Sequence, residues 1–390
     1  MIRIGEKKMY KIELIATSTF GLEALVAQEV RDLGYEDIKV ENGRVTFVAD
    51  ESAISKTNLW LRTADRVFVK MGEFQALSFE ELFEKTKALP WEEWIPKDGK
   101  FPIYKAKSVK SKLFSLSDCQ SIVKKAVVER LKEKYKVEWF EETGAQYPIQ
   151  ISILKDVATL LIDTSGVGLH KRGYREHGNE APIKETLAAA LVKLSRWDPS
   201  RELIDPLCGS GTILIEAAMI GKNIAPGLQR NFVSENWQRL GKELWKQEKV
   251  EAMRAMNVEK DFRILGSDID GKALKQAKFN AEMAGVDDCV FFQKLPVQEL
   301  RSRKRYGVII SNPPYGERLG EKKEVEALYR DMGRVFSKLN DWSFFIITSH
   351  SDFEKHFGKK ADKNRKLYNG RIQTYLYQYF GPLPPKKRGL

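Results

Sequence analysis

A four-residue turn, Asn312-Pro313-Pro314-Tyr315, has the composition needed to hold an amine. It comes directly after the apolar strand predicted over residues 306–310. The two prolines fix two backbone torsions and remove two N–H donors, so carbonyl acceptors dominate the turn. If the Asn312 side-chain oxygen and the Pro313 carbonyl accept both hydrogens of an exocyclic base amine, the nitrogen lone pair can turn towards an electrophilic methyl. Tyr315 would stack on the base, which is worth about 1–3 kcal/mol. The alternative is a rigid polar loop without chemistry.

A glycine-containing turn and an acidic strand end indicate a nucleotide-binding edge. The turn covers Asp205 to Thr212, and Gly209 and Gly211 allow a ligand to approach the backbone closely. Two glycines alone are equally compatible with an ordinary strand-to-helix turn. Asp268 strengthens the case, because a carboxylate at the end of the next strand can accept both ribose hydroxyl hydrogens. The long gap between the two features is attributed to an insertion over residues 221–261.

The elements that must position these residues predict a doubly wound α/β domain. From about Ala181, short apolar strands alternate with helices, a pattern typical of a parallel sheet covered on both faces. Ligands bind such sheets beyond the carboxyl ends of the strands, so the turns and Asp268 should meet at one edge. The predicted strands are Glu202 to Leu207, Arg263 to Asp268, Val290 to Gln293, Tyr306 to Ser311, Trp342 to Thr348 and Gln373 to Phe380.

The first part of the chain has a different pattern, which predicts two α+β units. Residues 10–74 alternate in the order βαββαβ, and Asn42-Gly43 is a strong signal for a hairpin between the middle strands. This order suggests a ferredoxin-like unit. In the second unit, the periodicity predicts an amphipathic helix over Asp118 to Lys134, with Lys124, Lys125 and Lys132 towards solvent.

The chain carries a formal net charge of +12, concentrated in two segments. Residues 100–136 contain 11 basic and three acidic side chains, and residues 355–390 contain ten basic side chains and one acid. Clustered positive charge is what a phosphate-binding surface requires, although a solvated charged face has the same composition. The candidate RNA-binding side chains are those of Lys110, Lys112, Lys124, Lys125 and Lys132.

Together these motifs resemble a known family. The Asp205 turn, Asp268 and the Asn312 turn are similar to the cofactor and amino-methyl sites of class I S-adenosylmethionine-dependent methyltransferases. Two further stretches, 170–175 and 181–190, resemble the lead-in to the catalytic domain of the THUMP-domain RNA guanine-N2 methyltransferases, and residues 108–131 resemble the THUMP module. The resemblance covers nearly the whole chain. It implies a Rossmann-like class I methyltransferase domain, preceded by a ferredoxin-like and THUMP RNA-binding half.

By position, the resemblance assigns the methionine part of S-adenosylmethionine to the glycine turn and the ribose to Asp268. The preceding helix would close the site. One departure concerns adenine: the acid that many relatives have after the third strand is replaced here by 294–297, so backbone and apolar contact near Val297 is expected. The implied cofactor-binding residues are Pro182, Glu185, Thr186, Asp205, Gly209, Gly211, Thr212, Asp268, Ile269, Val297 and Asn312.

The implied reaction is transfer of a methyl group to guanine N2 of RNA, with large-subunit rRNA as the first expectation. No metal and no strong base are expected to take part. A tRNA guanine is the near rival. The same proline turn could present a protein glutamine amide, although that activity would not need the basic residues 100–136. The last alternative is an RNA-binding protein without activity, which the intact glycine turn disfavours.

The expected domains are a ferredoxin-like unit over residues 1–75, a THUMP domain over 76–166 and a methyltransferase domain over 167–385. No apolar stretch approaches the roughly 20 residues of a membrane span, and no secretory signal is recognised, so a cytoplasmic protein is expected. Cys119, Cys208 and Cys289 are too far apart in the chain for a zinc cluster and are expected to be structural thiols.

Overall fold

The computed structural model describes residues 11–175, 183–316 and 321–385. Across these residues the chain forms two seven-stranded sheets, each in its own compact unit. The first unit comprises the residues up to Ser18, Val26–Leu169 and Arg230–Glu251. The second comprises Thr19–Leu25, His170–Gln229 and the residues from Ala252 onwards. None of the described helices is long and apolar enough to cross a membrane.

The first sheet has the strand order β2-β3-β1-β4-β7-β6-β5. Its first four strands pair antiparallel in the predicted βαββαβ order, which confirms the ferredoxin-like unit. Pairing of β4 with β7 joins this unit to the following one, so both share one continuous sheet. The elements are β1 (Ile12–Thr17), α1 (Glu23–Asp32), β2 (Ile38–Glu41), β3 (Arg44–Ala49), α2 (Ser52–Trp60), β4 (Arg66–Gln75), α3 (Phe79–Lys87), β5 (Ile103–Val109), α4 (Leu116–Tyr135), β6 (Ile149–Leu154) and β7 (Val157–Asp163).

The predicted insertion contributes to the first unit. Its aromatic residues Phe232, Trp237 and Trp245 are buried in the same apolar cluster as Trp94 and Tyr147. The rings of Trp237 and Tyr147 stack with centroids 4.8 Å apart. The two tryptophans of the insertion therefore serve as core residues, since large aromatic side chains contribute much apolar area when buried.

The second sheet has the order β10-β9-β8-β11-β12-β14-β13 and confirms the predicted α/β fold. Strands β8 to β12 pair parallel, whereas β14 and β13 are antiparallel additions at one edge. The elements are α5 (Glu185–Ser195), β8 (Leu203–Asp205), α6 (Thr212–Gly221), α7 (Lys242–Arg254), β9 (Ile264–Asp268), α8 (Gly271–Met283), β10 (Val290–Lys294), β11 (Val308–Ser311), α9 (Glu321–Phe336), β12 (Ser343–Thr348), α10 (Phe353–Phe357), β13 (Lys363–Asn369) and β14 (Ile372–Tyr379).

Helices cover both faces of this sheet, as a parallel arrangement requires. Leu191 of α5 and Leu214 of α6 pack in the apolar cluster of one face. Met332 of α9 and Phe353 of α10 pack in that of the other. The sheet is mixed rather than purely parallel, and sequence reasoning missed β13 because residues 363–366 are charged or polar without alternation.

Candidate active site

The carboxyl ends of β8, β9 and β11 lie side by side in the sheet. Chain order reverses between β8 and β11, the point at which open α/β sheets bind ligands. The Ser311 hydroxyl donates to Asp205 Oδ1 at 2.7 Å, and the Gly209 N–H donates to Asp268 Oδ2 at 2.9 Å. The three motifs found in the sequence are thus linked by hydrogen bonds at one edge.

The glycine turn depends on the left-handed backbone that glycine adopts without strain. Gly209 has φ +51° and Gly211 has φ +80°. A Cβ on Gly211 would lie 2.9 Å from the Phe292 ring, so packing also excludes a side chain there. A Cβ on Gly209 would meet no described atom within 4 Å, so this residue leaves open space beside Asp268. A ligand could therefore lie directly against the backbone at this position.

Asp268 is half-buried and holds the turn through both carboxylate oxygens. Oδ2 accepts the Gly209 N–H, and Oδ1 accepts the Asp270 N–H at 2.9 Å. Each carboxylate oxygen can accept about two hydrogen bonds, so one site per oxygen remains for the hydroxyls of a ribose. The next residue, Ile269, exposes 64% of its surface and offers an apolar wall.

Asp205 is almost fully buried, with 2% of its surface exposed. Burial raises the pKa of its carboxyl to about 7, because desolvation outweighs the hydrogen bonds from Ser311 and Leu207, and the negative charge of Asp268 adds to the increase. A positively charged ligand group would reverse this effect and favour the carboxylate. Asp205 therefore suits a cation such as an α-ammonium.

An arginine that sequence reasoning did not assign to the site connects two residues that it did. The Arg175 guanidinium pairs with Glu185 at 3.3 Å and donates to the Thr212 hydroxyl. Glu185 begins α5, and burial raises the pKa of its carboxyl despite the charge of Arg175. Thr186 beside it is buried, whereas Pro182 lies outside the described residues. Arg175 occurs in the stretch 170–175 that carried the family resemblance, which was the available signal.

Val297 lies after β10 in a short 3-10 turn, and 2% of its surface is exposed. Its side chain packs in the apolar cluster beneath α9, so it offers little side-chain surface to a ligand. Its backbone N–H has no hydrogen-bond partner among the described residues. A contact with adenine at this position would therefore use the backbone.

The two carbonyls of the proline pair differ in their hydrogen bonding. The Pro314 carbonyl accepts a hydrogen bond from the Tyr329 hydroxyl at 2.8 Å, whereas the Pro313 carbonyl has no hydrogen-bond partner in the described part of the chain. The Tyr315 hydroxyl donates to Asn312 Oδ1 at 2.6 Å. An amide oxygen has two lone pairs, so Asn312 can accept a second hydrogen bond. The two predicted acceptors are thus available together.

Tyr329 of α9 fixes this turn and was not found from the sequence. Its side chain is fully buried, and its hydroxyl also hydrogen-bonds the Thr348 hydroxyl at 2.9 Å. Thr348 ends β12 and in turn accepts the His350 N–H at 3.1 Å. The Pro314 carbonyl is thereby held by the neighbouring strand through Tyr329. A lone tyrosine in an amphipathic helix gives no signal of such a role, because its partners lie on other elements.

The candidate RNA-binding lysines of the first unit fall into two groups. Lys110, Lys112 and Lys125 are exposed, whereas Lys124 and Lys132 are half-buried. Lys124 pairs with Glu142 at 2.7 Å and lies 3.5 Å from the Phe101 ring centroid, and Lys132 lies within 4 Å of two glutamates. The expectation that the helix lysines point to solvent holds fully for Lys125 and only in part for Lys124 and Lys132, whose side chains are 33% and 29% exposed and lie against neighbouring carboxylates.

Comparison with known proteins identifies the family. The model of the RMKL-like methyltransferase domain matches residues 172–378, more than half of the chain. The chain belongs to this family. Models of the RlmL ferredoxin-like domain and of the THUMP domain match residues 13–68 and 76–163.

Two curated relatives are similar to this chain over nearly its whole length. One is YpsC of Bacillus subtilis, provisionally described as an RNA methyltransferase, which is 54% identical over 97% of this chain and 99% of its own. The other is the ribosomal RNA large subunit methyltransferase K/L of Syntrophotalea carbinolica, which is 33% identical over 94% of this chain. The matched region spans 53% of that relative, so the second is a longer protein.

Solved structures share the architecture. SMU.472, provisionally described as a methyltransferase, was crystallised with S-adenosylhomocysteine and is 46% identical, with a TM-score of 0.91 over 96% of this chain and 99% of its own. A predicted N6-adenine-specific DNA methylase from Listeria monocytogenes is 52% identical, with a TM-score of 0.91 over 96% of this chain and 97% of its own. The fold is therefore that of the methylases.

Proposed function

We propose that this protein transfers a methyl group from S-adenosylmethionine to the N2 amine of a guanine in RNA, with large-subunit rRNA as the substrate. The observation that carries the proposal is the pair of acceptors, Asn312 Oδ1 and the Pro313 carbonyl, at the sheet edge that also carries Asp205 and Asp268. Support for RNA comes from the THUMP match and from the names of the two curated relatives.

The residues at this edge fit S-adenosylmethionine. The remaining lone pairs of Asp268 would accept the ribose hydroxyls, and the open space at Gly209 would admit the ligand next to the backbone. Asp205 would pair with the ammonium of the methionine part, and the Val297 N–H would donate to adenine. The homocysteine product crystallised with SMU.472 supports this cofactor. When bound, S-adenosylmethionine supplies a methyl group on a positively charged sulfur.

The chain's own contribution is to position the amine. Asn312 and Pro313 would each accept one amine hydrogen, which directs the nitrogen lone pair at the methyl carbon. The nitrogen–carbon bond forms as the sulfur–carbon bond breaks, the bonding pair stays on sulfur, and the nitrogen then releases one proton to water. Holding the reactants in line lowers the barrier, because the bound molecules have already lost the translational and rotational freedom that free molecules would lose on the way to the transition state. A base inside a helix would first have to leave its stack.

An adenine N6 amine is the second candidate, and the name of the Listeria structure favours it. Asn312 and Pro313 would accept its two hydrogens in the same way, so the turn alone does not separate the two amines. A tRNA guanine remains the near alternative for the RNA.

The test is methylation by the purified protein of rRNA, tRNA and genomic DNA from cells that lack the gene. Each nucleic acid is digested after the reaction and its nucleosides are analysed by mass spectrometry, with the Asn312→Ala variant as control. We expect N2-methylguanosine in large-subunit rRNA only. N6-methyladenine as the sole product, or methylation confined to DNA or tRNA, would contradict the proposed substrate.

A further inference from the structure

A cavity of about 650 Å³ lies in the second unit, away from the candidate active site. Ser343, the first residue of β12, and Arg201, which precedes β8, line it. Both lie at the amino ends of parallel strands, whereas Asp205 and Ser311 lie at the carboxyl ends. A six-residue strand is roughly 20 Å long, so the cavity is a separate site. Its volume is in the range of ordinary ligand pockets.

The cavity is strongly cationic. Arg196, Lys363 and Arg365 line it, and no acidic residue does within the described chain. None of these three side chains forms an ion pair with a described residue. Arg196 caps the C-terminus of α5, where a cation offsets the helix dipole. The helix dipole does not account for Lys363 and Arg365, which lie on the edge strand β13. Charged side chains are common on edge strands, where they oppose pairing with other chains. The clustering of Lys363 and Arg365 with Arg196 around one cavity is what suits an anionic ligand.

A buried amide faces the same cavity. Gln378 exposes 5% of its surface, and its side chain makes no hydrogen bond to any described residue. It lies between Phe345 and Lys363 in the pairing of β12, β14 and β13, so all three side chains share one face. The Gln378 amide oxygen and nitrogen keep access to solvent, so a ligand in the cavity can take the place of water as their hydrogen-bond partner. An amide offers a donor and an acceptor together, as the edge of a nucleobase requires.

An exposed aromatic ring, that of Phe380, also lines the cavity. This residue exposes 55% of its surface. Its ring lies edge-on to Phe345, with centroids 6.0 Å apart, which fixes its position and leaves surface open to solvent. A base can stack on such a ring whatever its identity. Cations without an ion-pair partner in the described chain, an amide open to the cavity and an exposed aromatic ring together match the chemistry of a nucleotide.

We propose that this cavity binds one nucleotide of the RNA at a distance from the target base. Lys363 and Arg365 contact its phosphate, Gln378 hydrogen-bonds the base edge and Phe380 stacks on the base. The proposal rests on the proposed function for the identity of the polymer, because a free mononucleotide has the same chemistry. Such a contact would orient the RNA across the second unit and not only across the THUMP domain.

The experiment measures binding of the four ribonucleoside 5′-monophosphates to the full chain by calorimetry, with saturating S-adenosylhomocysteine to occupy the active site. RNA affinity is measured on the same samples over a range of salt concentrations. The variants are Lys363→Glu with Arg365→Glu, and Gln378→Met. Lys278→Glu with Lys338→Glu makes the same change in charge at exposed positions outside the cavity. Retained S-adenosylhomocysteine affinity and thermal unfolding temperature establish that each variant is folded.

We expect the charge reversal to weaken monophosphate binding at least tenfold and to lower the salt slope of RNA binding by about 0.7, because both side chains contact the same single-stranded phosphate. Gln378→Met should reduce differences between the four bases, and RNA should displace a bound monophosphate. The Lys278 and Lys338 control should change none of these quantities.

Equal losses in the control, or folded cavity variants with unchanged binding, would overturn the proposal. A monophosphate that binds in the cavity but is not displaced by RNA would overturn the assignment to RNA. The two proposals fail separately. Binding in the cavity without methyl transfer by the unaltered protein would support the cavity and refute the proposed function, whereas normal transfer with unaffected cavity variants would refute the cavity alone.

Discussion

The hydroxyl of Tyr315 donates a hydrogen bond to the side-chain oxygen of Asn312 at 2.6 Å, across the proline turn. The tyrosine ring is thereby placed beside the acceptor that should hold the target amine. A base stacked on this ring would therefore have its amine close to Asn312, so stacking and hydrogen bonding can select the same pose.

The hydrogen bond between Tyr315 and Asn312 suggests two substitutions whose effects on turnover should differ. Asn312→Ala should lower saturated single-turnover methyl transfer by about 10²–10³, because it removes an acceptor that engages the amine most strongly in the transition state. Tyr315→Phe keeps the ring and should reduce the rate only a few-fold. Binding isotherms for RNA and cofactor should change little in either variant. Near-normal turnover by Asn312→Ala would leave the role of amine acceptor to the backbone.

Cofactor affinity should depend on pH through Asp205. Burial raises the pKa of this carboxyl to about 7, so it is mostly neutral at pH 6 and mostly ionised at pH 8. If the carboxylate holds the ammonium of the methionine part, S-adenosylmethionine affinity should rise about fivefold between pH 6 and pH 7. The further rise towards pH 8 is smaller, because an α-amino group itself loses its proton at about pH 7.7–8. Asp205→Asn cannot ionise and should bind weakly throughout this pH range. Calorimetry across the range is the measurement, and parallel profiles for the two proteins would assign the pH dependence to another group.

The raised pKa of Asp205 also predicts how this residue changes the free energy of unfolding with pH. The folded state holds the Asp205 proton more tightly than the unfolded state does, so this group lowers the free energy of unfolding as pH rises from about 4 to 7. The contribution is constant above pH 7. Asp205→Asn removes it, and the difference between the two unfolding curves should have this sign.

Tyr329 should act on turnover through the turn that it holds. Tyr329→Phe removes the hydrogen bonds to the Pro314 carbonyl and to Thr348, and each is worth about 1 kcal/mol of stability. We expect a lower kcat, an unchanged cofactor affinity and a modest loss of stability.

Tyr379→Phe is the matched control for this prediction. Tyr379 is also buried in the cluster beneath α9 and α10, and its hydroxyl donates to the Lys359 carbonyl at 3.0 Å. The control should lose about half as much stability, because it removes one hydrogen bond instead of two, and should retain its kcat. Equal kcat losses in both variants would show that Tyr329 acts only through general stability.

RNA binding should depend on the exposed lysines of the loop after β5 and less on Lys124. The Lys112 N–H bonds to Asp156 at 2.6 Å, so the loop is anchored while the side chains of Lys110 and Lys112 remain exposed. Reversing both to Glu should lower the salt slope of RNA binding by up to about 1.8.

Two further variants define the specificity of this effect. Lys11→Glu with Lys97→Glu changes the charge equally at exposed positions outside the basic segment and should leave the slope unchanged. Lys124→Ala should chiefly lower stability, because it breaks the contact with Glu142. A steeper loss of RNA affinity from Lys124→Ala than from the loop variant would reverse this assignment.

The sequence by itself predicted the α+β pattern of the first part of the chain, the α/β pattern of the second, and the edge at which the motifs meet. Strands β2 and β3 form the predicted hairpin, because Asn42-Gly43 is a local turn signal and alternation of apolar residues is a local property. Asp205 and Asp268 end apolar strands and Asn312 directly follows one, which made them recognisable. Parallel strands bring their carboxyl ends to one side whatever their order.

Only the tertiary structure decided the contacts between elements. Tyr329 reaches the proline turn from a helix, Arg175 joins Glu185 to Thr212, and Lys124 turns to Glu142. Such pairings depend on how elements separated in the chain pack against one another, which no local periodicity encodes. Strand β13 was missed for the same reason: its polar sequence becomes a strand by pairing with β14, and that pairing places Lys363 beside Gln378.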